Sequence, residues 1–320
     1  MSEPARRPLV DLYGVATDAG ASARGTSMGP EALRIAGLIE TLTDLGHGVT
    51  DHGDLRRPSL GAAKRQAEVL ALAAETSTRS QESLDAGRVP MFLGGDHSLS
   101  MGTVSGVARH CEAAGKELHV LWIDAHADFN TPGISPSGNL HGMPLALLCG
   151  EPEFGDAFGG AWRGRVDPRN VTIFGARSID REERHLLASR GITVIDMRRI
   201  DEIGVVALMR EVLAKAAGGH LHVSFDVDAL DPSIAPGAGT LVPGGLTYRE
   251  GHLIMEMLHD SGLVGSLDLV ELNPFLDRAG ESARLLVAMA ASLFGRQIVA
   301  RETHATTAVR PEASAARTTT

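Results

Sequence analysis

The chain has 320 residues, 43% of them apolar, and a formal net charge of −10. That apolar content excludes a disordered chain, and the acidic balance argues against non-specific nucleic-acid binding and suits a soluble cytosolic enzyme. The length is large for one domain, but α/β sheets of this size often fold as a unit. Cys111 and Cys149 are too few for a disulfide framework and read as reduced thiols in the cytoplasm. Arg6 and Arg7 are followed by no apolar signal segment, and no run is long enough to span a membrane.

In chain order, residues 1–8 read as a loose N-terminal tail. Leu9–Val15 reads as a strand interrupted by Asp11, and Thr17–Gly29, rich in Gly, Ala and Ser, as a loop. Pro30 suits the first turn of a helix, with Glu31 at its positive end. Residues 61–86 are Ala-rich with apolar positions at helical spacing. From residue 90 on, strand, loop and helix alternate. Short apolar runs at Pro90–Leu93, Leu118–Ile123, Val171–Phe174, Leu221–Phe225 and Leu267–Val270 read as buried parallel strands. Thr247-Tyr248-Arg249-Glu250 is a capping box that opens a helix to about Asp260, with Gly262 as its stop. A last helix runs from Glu281 to Phe294 and ends at Gly295. The expected domain is 9–298, and residues 299–320 read as a disordered C-terminal tail, almost without large apolar residues.

Each of the five apolar runs leads into acids, and four of the clusters include histidine or paired carboxylates. They are Gly94-Gly95-Asp96-His97-Ser98, Asp124-Ala125-His126-Ala127-Asp128, Asp180 with Glu183, Asp226-Val227-Asp228, and Glu271-Leu272-Asn273. Ligands of open α/β sheets bind outside the carboxyl ends of strands, where these clusters fall. In extended chain, residues two apart face the same way, so Asp124, His126 and Asp128 can converge, as can Asp226 and Asp228. With His97 the candidates are four carboxylates and two imidazoles. Crowded carboxylates repel and protonate unless cations neutralise them, which points to two divalent ions. Oxygen and nitrogen ligands without thiolate suit Mn²⁺, although ligand type leaves Fe²⁺, Co²⁺ and Zn²⁺ open. Two ions sharing carboxylates can activate one water for hydrolysis. Asp231, in Leu230-Asp231-Pro232, reads as turn chemistry. His141 sits in a polar loop and is, on its own context, as readily structural as functional. Glycines 237, 239, 244 and 245 match no phosphate loop, and no Gly-x-Ser-x-Gly elbow is present.

Three of these stretches, Gly94–Ser98, Asp124–Asp128 and Ser224-Phe225-Asp226-Val227-Asp228-Ala229-Leu230-Asp231-Pro232, resemble the signatures of the ureohydrolase family, which includes arginases and agmatinases. The resemblance covers about Leu9 to Gly295. Asn130-Thr131-Pro132, Ser137-Gly138-Asn139-Leu140-His141-Gly142, Gly244–Glu250 and Glu271-Leu272-Asn273-Pro274 are similar to the arginase branch.

The resemblance implies a three-layer α/β/α fold with a mostly parallel central sheet, two Mn²⁺ per subunit, and a homo-oligomer, trimer or hexamer. It implies hydrolysis of the guanidinium group of L-arginine to L-ornithine and urea. The alternatives are an agmatinase or guanidinobutyrase activity, or a catalytically silent metal-binding relative. By position, Asp124 and Asp226 would bridge the ions, His97 and Asp128 would complete one, and His126 and Asp228 the other. Glu271 would pair with the guanidinium near Thr240, Asp128 would relay a proton, and His141 would shuttle protons to solvent. Asn130, Ser137 and Asn139 would hold the α-carboxylate, and Asp180 and Glu183 the α-amino group. Ala127 stands where Thr is more usual, and Leu241-Val242-Pro243 departs from the common Pro-Val-Val; neither removes a ligand.

Overall fold

A computed structural model describes residues 7–55 and 65–299. Most of the two expected tails, residues 1–6 and 300–320, and the first residues of the expected helix 61–86 lie outside the described residues. Among the described residues, eight strands form one sheet: β1 (Leu9–Val15), β2 (Gly48–Asp54), β3 (Val89–Gly94), β4 (Leu118–Ile123), β5 (Val171–Ala176), β6 (Thr193–Asp196), β7 (His220–Asp226) and β8 (Val264–Val270). Their order is β2-β1-β3-β8-β7-β4-β5-β6, and every pairing is parallel. Ten α-helices among the described residues cover it: α1 (Gly29–Ile35), α2 (Leu38–Asp44), α3 (Arg65–Asp85), α4 (Ser100–Ala114), α5 (Pro144–Leu148), α6 (Arg181–Arg190), α7 (Met197–Ile203), α8 (Val205–Lys215), α9 (Tyr248–Ser261) and α10 (Glu281–Leu293).

The helices divide between the two faces. One core layer joins α1, α2 and α7–α10 to the sheet through residues such as Leu33, Leu208, Ile254 and Leu286. The other joins α3–α6 through Val69, Val104, Leu147 and Leu187. This is the expected α/β/α arrangement, and the near-continuous apolar strands reflect burial on both sides. On the second face α3 and α4 pack with little space between them. A Cβ on Gly106 would lie 2.2 Å from the Ser77 carbonyl oxygen, so only glycine fits there.

The local signals explain most boundaries. Pro30 and Glu31 lie in the first turn of α1. At α9, the Thr247 hydroxyl accepts from Glu250 N–H while Glu250 accepts from Thr247 N–H, and Gly262 (φ 63°) ends the helix. Asp11 does not interrupt β1. It is buried within the strand and held by Arg88 (2.7 Å), Ser83 (2.8 Å) and His52 (3.0 Å). Those partners hold its carboxyl below the usual range, against the opposing effect of burial. Cys111 and Cys149 are free, and burial pushes their thiols up to about 11 and about 12. No helix among the described residues is long and apolar enough to cross a membrane.

Sheet order is what assembles the site. The clusters follow β3, β8, β7, β4 and β5, five adjacent positions in the sheet though scattered over the chain. Their carboxyl ends therefore meet along one line.

Candidate active site

His97 follows β3 in a single 3-10 turn capped by Asp96, whose carboxylate accepts from Ser98 N–H and Gly20 N–H. Gly95 makes the approach possible: a Cβ there would sit 2.4 Å from the Val15 carbonyl oxygen. His97 Nδ1 lies 3.2 Å from Asp124, 3.0 Å from Asp128 and 3.1 Å from Asp226. Nevertheless it makes no aligned hydrogen bond with any of them. His97, Asp124 and Asp226 bring one ligand atom each within 4.8 Å of one another, as ligands of an ion do, and Asp128 adjoins them through His97. His126 Nδ1 lies 3.2 Å from Asp228 and 3.5 Å from Asp124. Two overlapping ligand groups result, His97–Asp124–Asp226 and Asp124–His126–Asp228, with Asp124 common to both.

Backbone amides aim these carboxylates. Asp124 accepts from His126 N–H (2.7 Å), Asp226 from Asp228 N–H (2.8 Å) and Asp228 from Ala125 N–H (3.2 Å). Trp122 donates to Asp124 at 2.9 Å and stacks on His97, ring centroids 4.0 Å apart. Asp128 (φ 49°) and Glu271 (φ 63°) both occupy the left-handed region, a strain that concentrates at functional sites.

The electrostatics show an excess of negative charge. Burial, reinforced by Asp228 and Asp124, pushes the Asp226 carboxyl well above its usual range. Burial and Asp124 raise Asp128 to about 6 and also raise Asp228. Burial opposes a charge on His126, but Asp124 and Asp228 outweigh it and lift the imidazole to about 12. Protons here do what divalent cations would do. The hard oxygen and nitrogen donors, the orphaned His97 Nδ1 and the shared carboxylate all fit a pair of such ions.

Above this floor is a cavity of about 220 Å³. Its lining includes His97, His126, Asp128 and Asp226 from the floor, with Asn130, Ser137, Asn139, His141, Asp180, Glu183, Thr240 and Glu271 around them. Asp124 and Asp228 lie beneath, fully buried. Glu271 Oε1 accepts from His97 N–H and meets His141 Nδ1, each at 2.8 Å. Burial alone would depress the His141 imidazole, but Glu271, with Asp96 and Asp128, lifts it to about 9. Thr240 donates to Asp228 at 2.9 Å.

The far wall is less uniform. Asn130 is buried and donates to Asp180 at 3.1 Å. Ser137 is exposed and accepts from Asn139 N–H, while Asn139 accepts from Ser22 at 2.8 Å. Glu183 also has local work: its two oxygens accept from Phe129 N–H (2.8 Å) and Asp180 N–H (3.1 Å). It thereby ties the metal-type loop to the start of α6, and burial raises its carboxyl to about 7. The spacing Asp180-x-x-Glu183 is itself a capping-box signal.

Three contributors escaped the sequence reading. Ser178 lines the cavity. Trp122 reads as core from its apolar strand. Arg177 fans over backbone oxygens of Asp228 (2.6 Å), Val242 (2.7 Å) and Ala229 (3.3 Å), fastening the Thr240 loop to the end of β7. Only its nearness to the end of β5 could have flagged it.

One parallel sheet between two helix layers, with two adjoining histidine–carboxylate groups at its carboxyl edge, forms a candidate binuclear metal centre. A model of the Arginase family matches residues 9–295, and the chain belongs to that family. It is 51% identical over 303 residues to an arginase of Agrobacterium fabrum, covering 92% of this chain and 93% of that one. It is 46% identical over 302 residues to an arginase of Brucella melitensis, covering 91% and 98%. The crystal structure of arginase from Bacillus cereus superposes with a TM-score of 0.84 at 40% identity, covering 92% of this chain and 100% of that one.

Proposed function

We propose that this chain hydrolyses L-arginine to L-ornithine and urea at a pair of Mn²⁺ ions. The observation that carries the reading is the pair of ligand groups sharing Asp124, roofed by a cavity that also holds Glu271 and His141. His97, Asp124, His126, Asp128, Asp226 and Asp228 would hold the ions, with Asp124 common to both ligand groups. When bound, the ions supply an activated water to the guanidinium carbon.

The rest is the work of side chains. Glu271, anchored by His97 N–H, presents a carboxylate to the guanidinium and holds it over the floor. Glu271 itself sits at the end of β8 in the left-handed region, φ 63°. Thr240 keeps Asp228 aimed. His141, sharing a proton with Glu271 at 2.8 Å, stands at the cavity wall and passes protons between the leaving amine and solvent; Asp128 relays within the site. Asn130, Ser137 and Asn139 receive the α-carboxylate, and Asp180 and Glu183 the α-amino group, Glu183 through water because both its oxygens already accept amides.

We read residues 9–298 as one domain between two tails, working in the cytoplasm as a homo-oligomer, trimer or hexamer. The test of function is urea release from arginine and from agmatine, each with and without Mn²⁺ after chelation. Agmatine lacks only the α-carboxylate. Losing the hydrogen bonds of Asn130 and Asn139 to a charged group, at about 1.5–3 kcal/mol each, with little added by the exposed Ser137, predicts a preference for arginine on the order of 10³-fold in kcat/KM. Equal use of the two substrates, or full activity in the chelated protein, overturns the reading.

A further inference from the structure

Asp268 is a fully buried carboxylate outside the site described above. Asp268 sits midway along β8, a central strand, with no solvent exposure. A carboxylate there has lost its water and must be compensated by protein groups. Strand register sets it beside Ser224 of β7, on the face covered by α4. Two α4 hydroxyls donate to the same oxygen, Oδ2: Ser100 at 2.7 Å and Thr103 at 2.6 Å.

Ser100 also leads toward the floor of the cavity. Its Oγ is 3.5 Å from Ser224 Oγ, the loosest link, and Ser224 Oγ is 2.8 Å from His97 Nε2. A hydroxyl carries one proton. Ser100 commits its proton to Asp268, so it accepts from Ser224, and Ser224 is left to accept from His97. The acceptor at the end of the row therefore sets the direction of every link. His97 Nδ1 faces the carboxylates, so Nε2 is the nitrogen that must carry the proton when Nδ1 is a ligand. A metal-binding histidine is oriented by the acceptor of its other N–H.

We propose that Asp268 is a positioning residue for the metal centre: through Ser100 and Ser224 it fixes the tautomer and ring orientation of His97, and so sets the affinity of the ion that His97 holds. This rests on the reading of His97 as a ligand. Thr103 is an internal control, since it bonds the same carboxylate oxygen but does not lie between Asp268 and His97.

The experiment compares the full chain with Ser100→Ala, Asp268→Asn and Thr103→Ala. Mn²⁺ affinities are read by competition with a chelator, and electron paramagnetic resonance separates a coupled Mn²⁺ pair from a single ion. Ser100→Ala and Asp268→Asn should each weaken one of the two sites by about 10- to 100-fold. Combined, they should do no worse than the more severe single change, because the links act in series. Thr103→Ala should lower the thermal midpoint yet keep both affinities. Wild-type affinities in Ser100→Ala, or losses in Thr103→Ala as large as in Ser100→Ala, overturn the inference. If Asp268→Asn does not fold, the Ser100 and Thr103 pair decides alone. A wild-type chain that takes up no Mn²⁺ overturns the metal reading and this inference with it. Two ions in the wild type with Ser100→Ala unchanged removes this inference only.

Discussion

The floor of the cavity stands on strand ends, whereas its rim stands on a loop. On the floor, Asp124, Asp226 and Asp228 each accept a backbone amide and are almost fully buried, so their directions follow from the sheet itself. On the rim, Ser137 and Asn139 hang on a loop whose turn needs Gly138 at φ 68°, and Ser137 faces solvent. Placement by strands is rigid and buried charge is costly to leave uncompensated, so the floor should be intolerant of change. Groups on the rim can exchange partners with water, so each should contribute little and act on recognition rather than chemistry.

The largest effect expected from this contrast is on the floor. Asp226→Ala should remove both metal binding and activity, measured by metal content and urea release. Asp231→Ala, five residues on, is the comparison. Asp231 accepts from Ser233, Gly244 and Gly245 N–H, which hold its carboxyl down at about 2. Its loss should lower the thermal midpoint and leave the metal in place. Metal retained in Asp226→Ala would dissolve the distinction between floor and surroundings.

His141 lies on the boundary, on the loop but bonded to Glu271. His141→Asn should cut turnover by roughly 10²–10⁴-fold, the usual contribution of an acid–base group, with manganese content unchanged. Loss of manganese would move His141 into the floor; unchanged turnover would move it to the rim.

A titration sharpens the same boundary. In metal-free protein His141 should titrate near 9, above its ordinary 6.5, because Glu271 outweighs burial. A raised folded-state value stabilises the protonated form. Its stabilisation is therefore fully present below about pH 6.5 and is lost as pH rises through about 9. Glu271→Gln should move the resonance toward 6.5 and flatten the pH dependence of unfolding across that window. A His141 that titrates below 6.5 in the wild type would falsify the coupling.

The same contrast governs what could be read from the chain. The floor was legible because alternate spacing after an apolar run is a local signal, as at Asp124-x-His126-x-Asp128. The capping box of α9 and the stop at Gly262 were legible for the same reason. What was not legible is tertiary. Nothing local says that β8 and β7 lie between β3 and β4, and only that order brings Glu271 to His97. β2 escaped because Gly48–Asp54 is an exposed edge strand with polar residues and no apolar run. Asp11 looked like an interruption because its partners, Arg88, Ser83 and His52, are distant in sequence. Asp268 stands one residue from each of two leucines and carries no motif; only the register of β8 against β7 sets it beside Ser224.

The smallest expected effect belongs to Ser137. Its hydroxyl accepts from Asn139 N–H at 3.2 Å and its side chain is exposed, so water replaces much of what an alanine removes. A hydrogen bond to the carboxylate from this exposed position is largely replaced by water and contributes about 0.5–1.5 kcal/mol, which is roughly two- to tenfold in an equilibrium constant. Ser137→Ala should therefore raise KM for arginine by about that factor and leave kcat and metal content alone. The informative arm is agmatine. If Ser137 serves the α-carboxylate, a substrate without that group has nothing to lose, and its kcat/KM should not move. If agmatine suffers as much as arginine, Ser137 acts by holding the loop, through Asn139, and the carboxylate site rests on Asn130 and Asn139. A fall in kcat for both substrates would mean that the loop reports to the floor through His141, and the division between a rigid floor and an adjustable rim would have to be redrawn.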